Sequence, residues 1–170
     1  MEGGGFYSLL EALLAAREEA LRRPHRRGRR LLRDVNILLV QLTNGLNISE
    51  AMECYHKFVA TGARKVYVRL AGSEGRVRPC IIPGFMGDRD LELTGDLGMP
   101  REETILSVAS SRFKVKTRTL KYAFYEHLAG GEVGWVDVKR ALELDSFDRI
   151  LEYFHEALQR RLAHPGRRGL

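Results

Sequence analysis

Apolar positions recur at helical spacing through the first third of the chain. Ser8 with Glu11 forms a capping-box pattern ahead of Leu9, Leu10, Leu13 and Leu14, which predicts a helix running to about Leu21. Leu31, Leu32, Val35, Leu38, Leu39 and Leu42 predict a second helix that ends near the Asn44-Gly45 turn. Asn47 with Glu50 is another capping signal. It opens a third amphipathic helix through Ile48, Ala51, Met52, Tyr55, Phe58 and Val59, stopped by Gly62.

The middle of the chain changes period. Val66, Val68 and Leu70 alternate with Lys65, Tyr67 and Arg69, a turn follows at Gly72 to Gly75, and Val77 to Ile82 is a second β-rich run. The pattern predicts a hairpin, with Pro79 confining the second strand to an edge or a bulge. Asp88 to Leu93 reads as a short alternating strand. Pro100 with Glu102 and Glu103 opens a helix to Ala109, and Phe113, Val115 and Thr117 alternate with cations as a further strand.

The last third returns to helical spacing. Leu120, Ala123, Phe124 and Leu128 share a face, Gly130-Gly131 ends it, and Trp135 lies in a short extended link. Val138 to Leu144 and Phe147 to Leu158 then predict two more helices. The fold class expected is α+β: N-terminal helices, a small antiparallel sheet, and a C-terminal three-helix unit of winged-helix type. In domains, 1–118 holds the helices and sheet, 119–162 the winged-helix-like unit and 163–170 a basic tail, with one compact domain as the alternative.

Charge changes this picture most. The 170 residues carry 28 Lys and Arg against 22 Asp and Glu, and 22 of the 28 are arginine. Residues 17 to 34 hold eight arginines and only three acids. Within them Arg22, Arg23, Arg26, Arg27, Arg29 and Arg30 crowd around Pro24 and Gly28, a stretch unsuited to a helix interior and self-repelling without an anion. Guanidinium groups favour phosphate and carboxylate partners. Nucleic-acid phosphate is the functional reading, and a solvated turn with arginines paired to nearby acids is the structural one.

A second basic feature is patterned. On a strand, Arg112, Lys114, Lys116 and Arg118 share one face, and a hairpin register with Leu70 opposite Val77 sets Arg69 across from Arg78, beside Lys65 and Tyr67. Tyr67 among these cations suits base stacking, which favours RNA or single-stranded DNA. Asp88, Asp90 and Glu92 on a neighbouring strand would instead neutralise the stripe as an internal ion ladder. The C-terminal helices are acidic, and Asp145, Asp148, Glu152 and Glu156 suit a protein partner or a homodimer better than a DNA groove.

Catalytic and metal signals are weak. Cys54 and Cys80 can form at most one bridge, and two cysteines read as an intracellular, cytoplasmic chain. Cys54 and His56 point apart on a helix, Glu152-x-x-His155 occurs once, and His127 suits a cationic role at a helix C-terminus. Asp88, Asp90, Glu92 and Asp96 are the carboxylates of a metal-dependent nuclease alternative. No segment is long and apolar enough to span a membrane. Only five amides occur, which with abundant charge fits a thermophile. The reading is a non-enzymatic nucleic-acid-binding or nucleoprotein subunit without cofactor, metal or catalytic residue. A protein adaptor docking through the acidic helices is the runner-up.

Overall fold

The computed structural model describes residues 5–70, 72, 74–130 and 147–163. Seven helices and one hairpin are found among them. α1 (Phe6–Arg22) starts two residues before the expected Ser8 cap, with Gly5 at its N-cap. It buries Phe6, Leu9, Leu10, Leu13, Ala16 and Ala20, and Arg17 falls in the same stripe.

α2 (Arg26–Asn44) is the centre of the molecule. From Leu32 to Asn44 every residue is buried, as expected of a helix surrounded by others; α1, α3, α4, α5 and α6 all pack on it. Gly45 ends it in the left-handed conformation, with φ 67°. A side chain there would also run into the Phe124 and Tyr125 rings, at 2.5 and 2.6 Å from an added Cβ. In α3 (Ile48–Thr61) the Glu50 carboxylate accepts the Asn47 N–H at 2.8 Å, and Gly62 closes the helix, as the capping pattern implied.

β1 (Lys65–Arg69) and β2 (Val77–Ile81) pair antiparallel, with Arg69 opposite Val77 and Val68 opposite Arg78. This register is one residue away from the expected one. Because strand side chains alternate, the slip carries Arg78 to the buried face and removes the Arg69–Arg78 opposition. Cys54 and Cys80 form a disulfide between α3 and β2, with Cα atoms 6.5 Å apart.

Two expected strands are helical instead. Asp88 to Thr94 is α4 (Asp88–Thr94), so Asp88, Asp90 and Glu92 do not share a strand face. Residues 112–118 are not a strand either. Arg112 and Phe113 finish α5 (Glu102–Phe113), Lys114 turns the chain with φ 57°, and Thr117 opens α6 (Thr117–Ala129). The apparent alternation comes from Phe113 and Val115 packing on the core from either side of a turn, where the Val115 N–H bonds the Ala109 carbonyl at 3.1 Å. Residues 112–118 and 88–93 thus form neither a basic strand face nor an acidic ladder, while Lys65, Tyr67 and Arg69 stay together on the exposed face of β1.

α7 (Phe147–Ala163) buries Phe147, Leu151, Phe154 and Leu158. Phe154 meets Phe6 and Phe124, so residues on both sides of position 118 share one core. The mixed helical fold with a two-stranded antiparallel sheet agrees with the α+β class. The Trp135 link and the helix expected at Val138 to Leu144 lie outside the described residues. No helix among the described residues is long and apolar enough to cross a membrane.

Candidate nucleic-acid interface

The α1–α2 corner forms where α1 stops before Pro24 and α2 restarts at Arg26. The His25 side chain caps α2, accepting the Gly28 N–H at 3.1 Å. Gly28 lies inside the helix, where an added Cβ would meet the Arg23 carbonyl oxygen at 2.1 Å. The arginine run reads as unsuited to a helix interior. It instead begins one, and Gly28 is the residue that lets the connector fold tightly onto it.

This close corner gathers charge around a cleft of about 480 Å³. Arg23, His25, Arg27 and Arg30 line it from the corner, Arg112 from the end of α5, with Glu19 and Asp34 as the acids. Arg26, Arg27, Arg29 and Arg30 fall in the first turns of α2, which has no acid in its first turn. Cations there oppose the helix dipole and repel one another at i,i+3 and i,i+4 spacing. Part of the charge is answered from within. Arg29 reaches Asp96 at 3.2 Å, Arg33 pairs with Asp34 at 2.9 Å, and Arg112 comes within 3.9 Å of Glu19. Burial pushes the Asp34 carboxyl up, against the pull of Arg33 and Arg30. Arg22, Arg23, Arg26, Arg27 and Arg30 are exposed to solvent, as are Lys114, Lys116 and Arg118 around the α5–α6 turn.

The other expected contacts go elsewhere. Lys65 lies 2.6 Å from Glu152 and 3.4 Å from Asp148, and the Tyr67 hydroxyl donates to Asp148. The hydrogen bond to Glu152 raises the Lys65 ammonium, and the one to Asp148 raises the Tyr67 phenol. A set expected to bind nucleic acid and a set expected to bind protein thus meet each other. Arg69 and Glu156 are exposed, and Asp145 lies outside the described residues. Arg78 is only 2 % exposed. Its guanidinium donates to the Asn44 and Gly45 carbonyls and to the Tyr125 hydroxyl, and lies 5.1 Å from the Phe147 ring.

Asp90 is not an open metal ligand. Arg17 donates to both its oxygens at 2.8 and 2.7 Å, Asn36 donates to it at 2.8 Å, and the Gly87 N–H adds a fourth bond at 2.8 Å. Tyr55 extends this buried network to Thr94 at 2.8 Å. Among the described residues, no three or more of His, Cys, Asp and Glu group to hold a metal ion. His127 differs from its expected cationic role: burial, then Arg161, lowers its pKa, and its ring stacks on Phe6 at 4.7 Å.

Among the buried cations that sequence reading missed are Arg17, Arg78 and Lys121. Arg17 gave a signal, since it recurs with Leu10, Leu13 and Ala20 on one helical face. The Lys121 ammonium donates to Asn47 Oδ1 at 3.0 Å, and burial lowers its pKa against the pull of Glu50.

No protein-family model matches the chain, and no solved structure does. One curated relative, named "Putative integrase ORF241", comes from Acidianus two-tailed virus. It is 28 % identical over 124 residues, which cover 70 % of this chain and 50 % of that protein. The chain therefore spans about half the length of the relative it matches. An integrase is an enzyme, so this similarity corrects the expectation that the chain is non-enzymatic.

Proposed function

We propose that this chain is a DNA-gripping part of an integrase-like protein, with the α1–α2 corner holding the phosphate backbone. The observation that carries this reading is the convergence of Arg23, Arg27, Arg30 and Arg112 on one open cleft. Each phosphate they neutralise releases counterions, and the crowded cations at the start of α2 lose their mutual repulsion. The relative's name supplies DNA as the polyanion. Duplex DNA takes the place of RNA or a single strand, because residues 112–118 form no strand to extend the basic face and the Tyr67 hydroxyl is bonded to Asp148. An intracellular setting goes with this partner. The Cys54–Cys80 bridge then fits the disulfide-rich intracellular proteins of hyperthermophiles, in line with the scarcity of amides.

An integrase also breaks and remakes phosphodiester bonds, which calls for a nucleophile beside cationic stabilisers. Both cysteines are bonded to each other. Tyr153 is 69 % exposed and lines a hollow of about 600 Å³ in which Arg149 is the cation. It is the side chain we assign to that step.

Fluorescence anisotropy with a labelled duplex, beside a supercoiled-plasmid nicking assay, tests both parts. The expected result is salt-sensitive binding that Arg23→Ala, Arg27→Ala and Arg30→Ala weaken together. Nicking should disappear in Tyr153→Phe while binding persists. Absence of duplex binding at low salt contradicts the grip, and nicking unchanged in Tyr153→Phe contradicts the nucleophile.

A further inference from the structure

We infer that the arginine corner holds DNA without bidentate reading of adenine, its contacts being to phosphates and, where a guanidinium fork reads a base edge, to guanine. The inference rests on the corner being the DNA contact, and adds what that contact can distinguish. Adenine is read in the major groove by an Asn or Gln that bonds its N6 and N7 together. The chain has five amides in all, Asn36, Gln41, Asn44, Asn47 and Gln159, and each is placed away from the cleft lining.

Three of them are in the interior. Asn36, Gln41 and Asn44 are 0 % exposed. Asn36 is held by Arg17, Tyr55 and Asp90, and Asn44 bonds both the N–H and the carbonyl of Ile81 at 2.8 Å. Asn47 stands at the start of α3 with its side-chain oxygen on Lys121. Gln159, on α7, packs so closely on Gly84 that an added Cβ there would meet its Oε1 at 2.2 Å. Asn36, Gln41, Asn44 and Asn47 cannot turn to a duplex at the α1–α2 corner without undoing a fold contact, and Gln159, although exposed, does not line the cleft.

The groups the corner does offer match other targets. Arg23, Arg27, Arg30 and Arg112 present guanidinium forks, which fit phosphate oxygens or the O6 and N7 of guanine. Glu19 is a carboxylate of the type that accepts from cytosine N4. The corner therefore has donors and acceptors for G·C pairs and none of the bidentate kind for A·T pairs.

The test compares two duplexes of one mixed sequence, the second with every adenine replaced by 7-deazaadenine, in anisotropy titrations of the full chain. Loss of a bidentate adenine contact weakens binding about fivefold or more. The inference expects the two dissociation constants to agree to within about threefold. A weakening of threefold or more in the 7-deazaadenine duplex overturns it while leaving the DNA grip intact. Failure to bind either duplex overturns the grip itself.

Discussion

Two populations of arginine in one small fold show what a charge run does and does not reveal. Arg17 and Arg78 are 6 % and 2 % exposed, and their partners come from distant segments of the same chain: Asp90 and Asn36 for one, the Asn44 and Gly45 carbonyls for the other. Arg23, Arg27 and Arg30 line an open cleft with two acids. A buried guanidinium needs partners supplied by the fold, because leaving it unpaired is costly. The corner arginines have few internal partners, so an external anion has room to act. Density along the sequence located the second kind; of the first, Arg17 stands at the edge of the same run and Arg78 outside it.

Asp90 separates the two kinds of arginine most sharply. Asp90→Ala strands the Arg17 guanidinium in the interior, and urea denaturation should show a loss of about 3–5 kcal/mol. A loss below 1 kcal/mol, on the same scale, would mean that Arg17 escapes to solvent and that the contrast is overstated. Removing the bridge with Cys54→Ser plus Cys80→Ser, which opens a loop of 26 residues' separation, should cost roughly 3 kcal/mol in the same measurement.

Acid probes the interior through His155. Burial lowers its pKa from 6.5 to about 4, with a backbone hydrogen bond to Thr43 opposing. The unfolded chain then binds the proton first, so stability is full above pH 6.5 and declines as pH falls from 6.5 to about 4. The loss across that window should be about 3 kcal/mol, and His155→Phe should flatten it. A wild-type stability curve that is level across this window would contradict the burial argument.

Smaller effects belong to the surface. Lys65→Ala removes exposed pairs with Asp148 and Glu152 and should change stability by about 0.2–1 kcal/mol. Arg27→Ala and Arg30→Ala should each leave stability within about 0.5 kcal/mol, or raise it slightly by easing repulsion at the start of α2. A loss above 2 kcal/mol at either would place them with the structural arginines instead.

Helices with capped ends and a clean apolar stripe were legible in the sequence. α3 is the best case, because Asn47, Glu50 and Gly62 supply local hydrogen bonds and a left-handed cap that need no tertiary help. The short alternating runs at 88–93 and 112–118 misled, since period-two spacing over six or seven residues also occurs inside a short helix, as in α4, and across a helix end, as between α5 and α6. The hairpin was legible and its register was not: the turn sets Arg69 opposite Val77, and one residue of slip decides whether Arg78 is a surface cation or a core anchor. The basic corner was legible as composition. That Arg112 joins it, and that Gly28 tightens it, depended on how α1, α2 and α5 pack.

The most direct measurement is the salt dependence of duplex binding, compared between wild type and a variant with Arg23, Arg27, Arg30 and Arg112 changed to Ala. Each lost phosphate contact should reduce the slope of log K against log salt by about 0.9, so the variant should show a slope shallower by roughly 2 to 4 with the fold retained. A variant that binds with the wild-type slope would contradict the corner as the DNA contact.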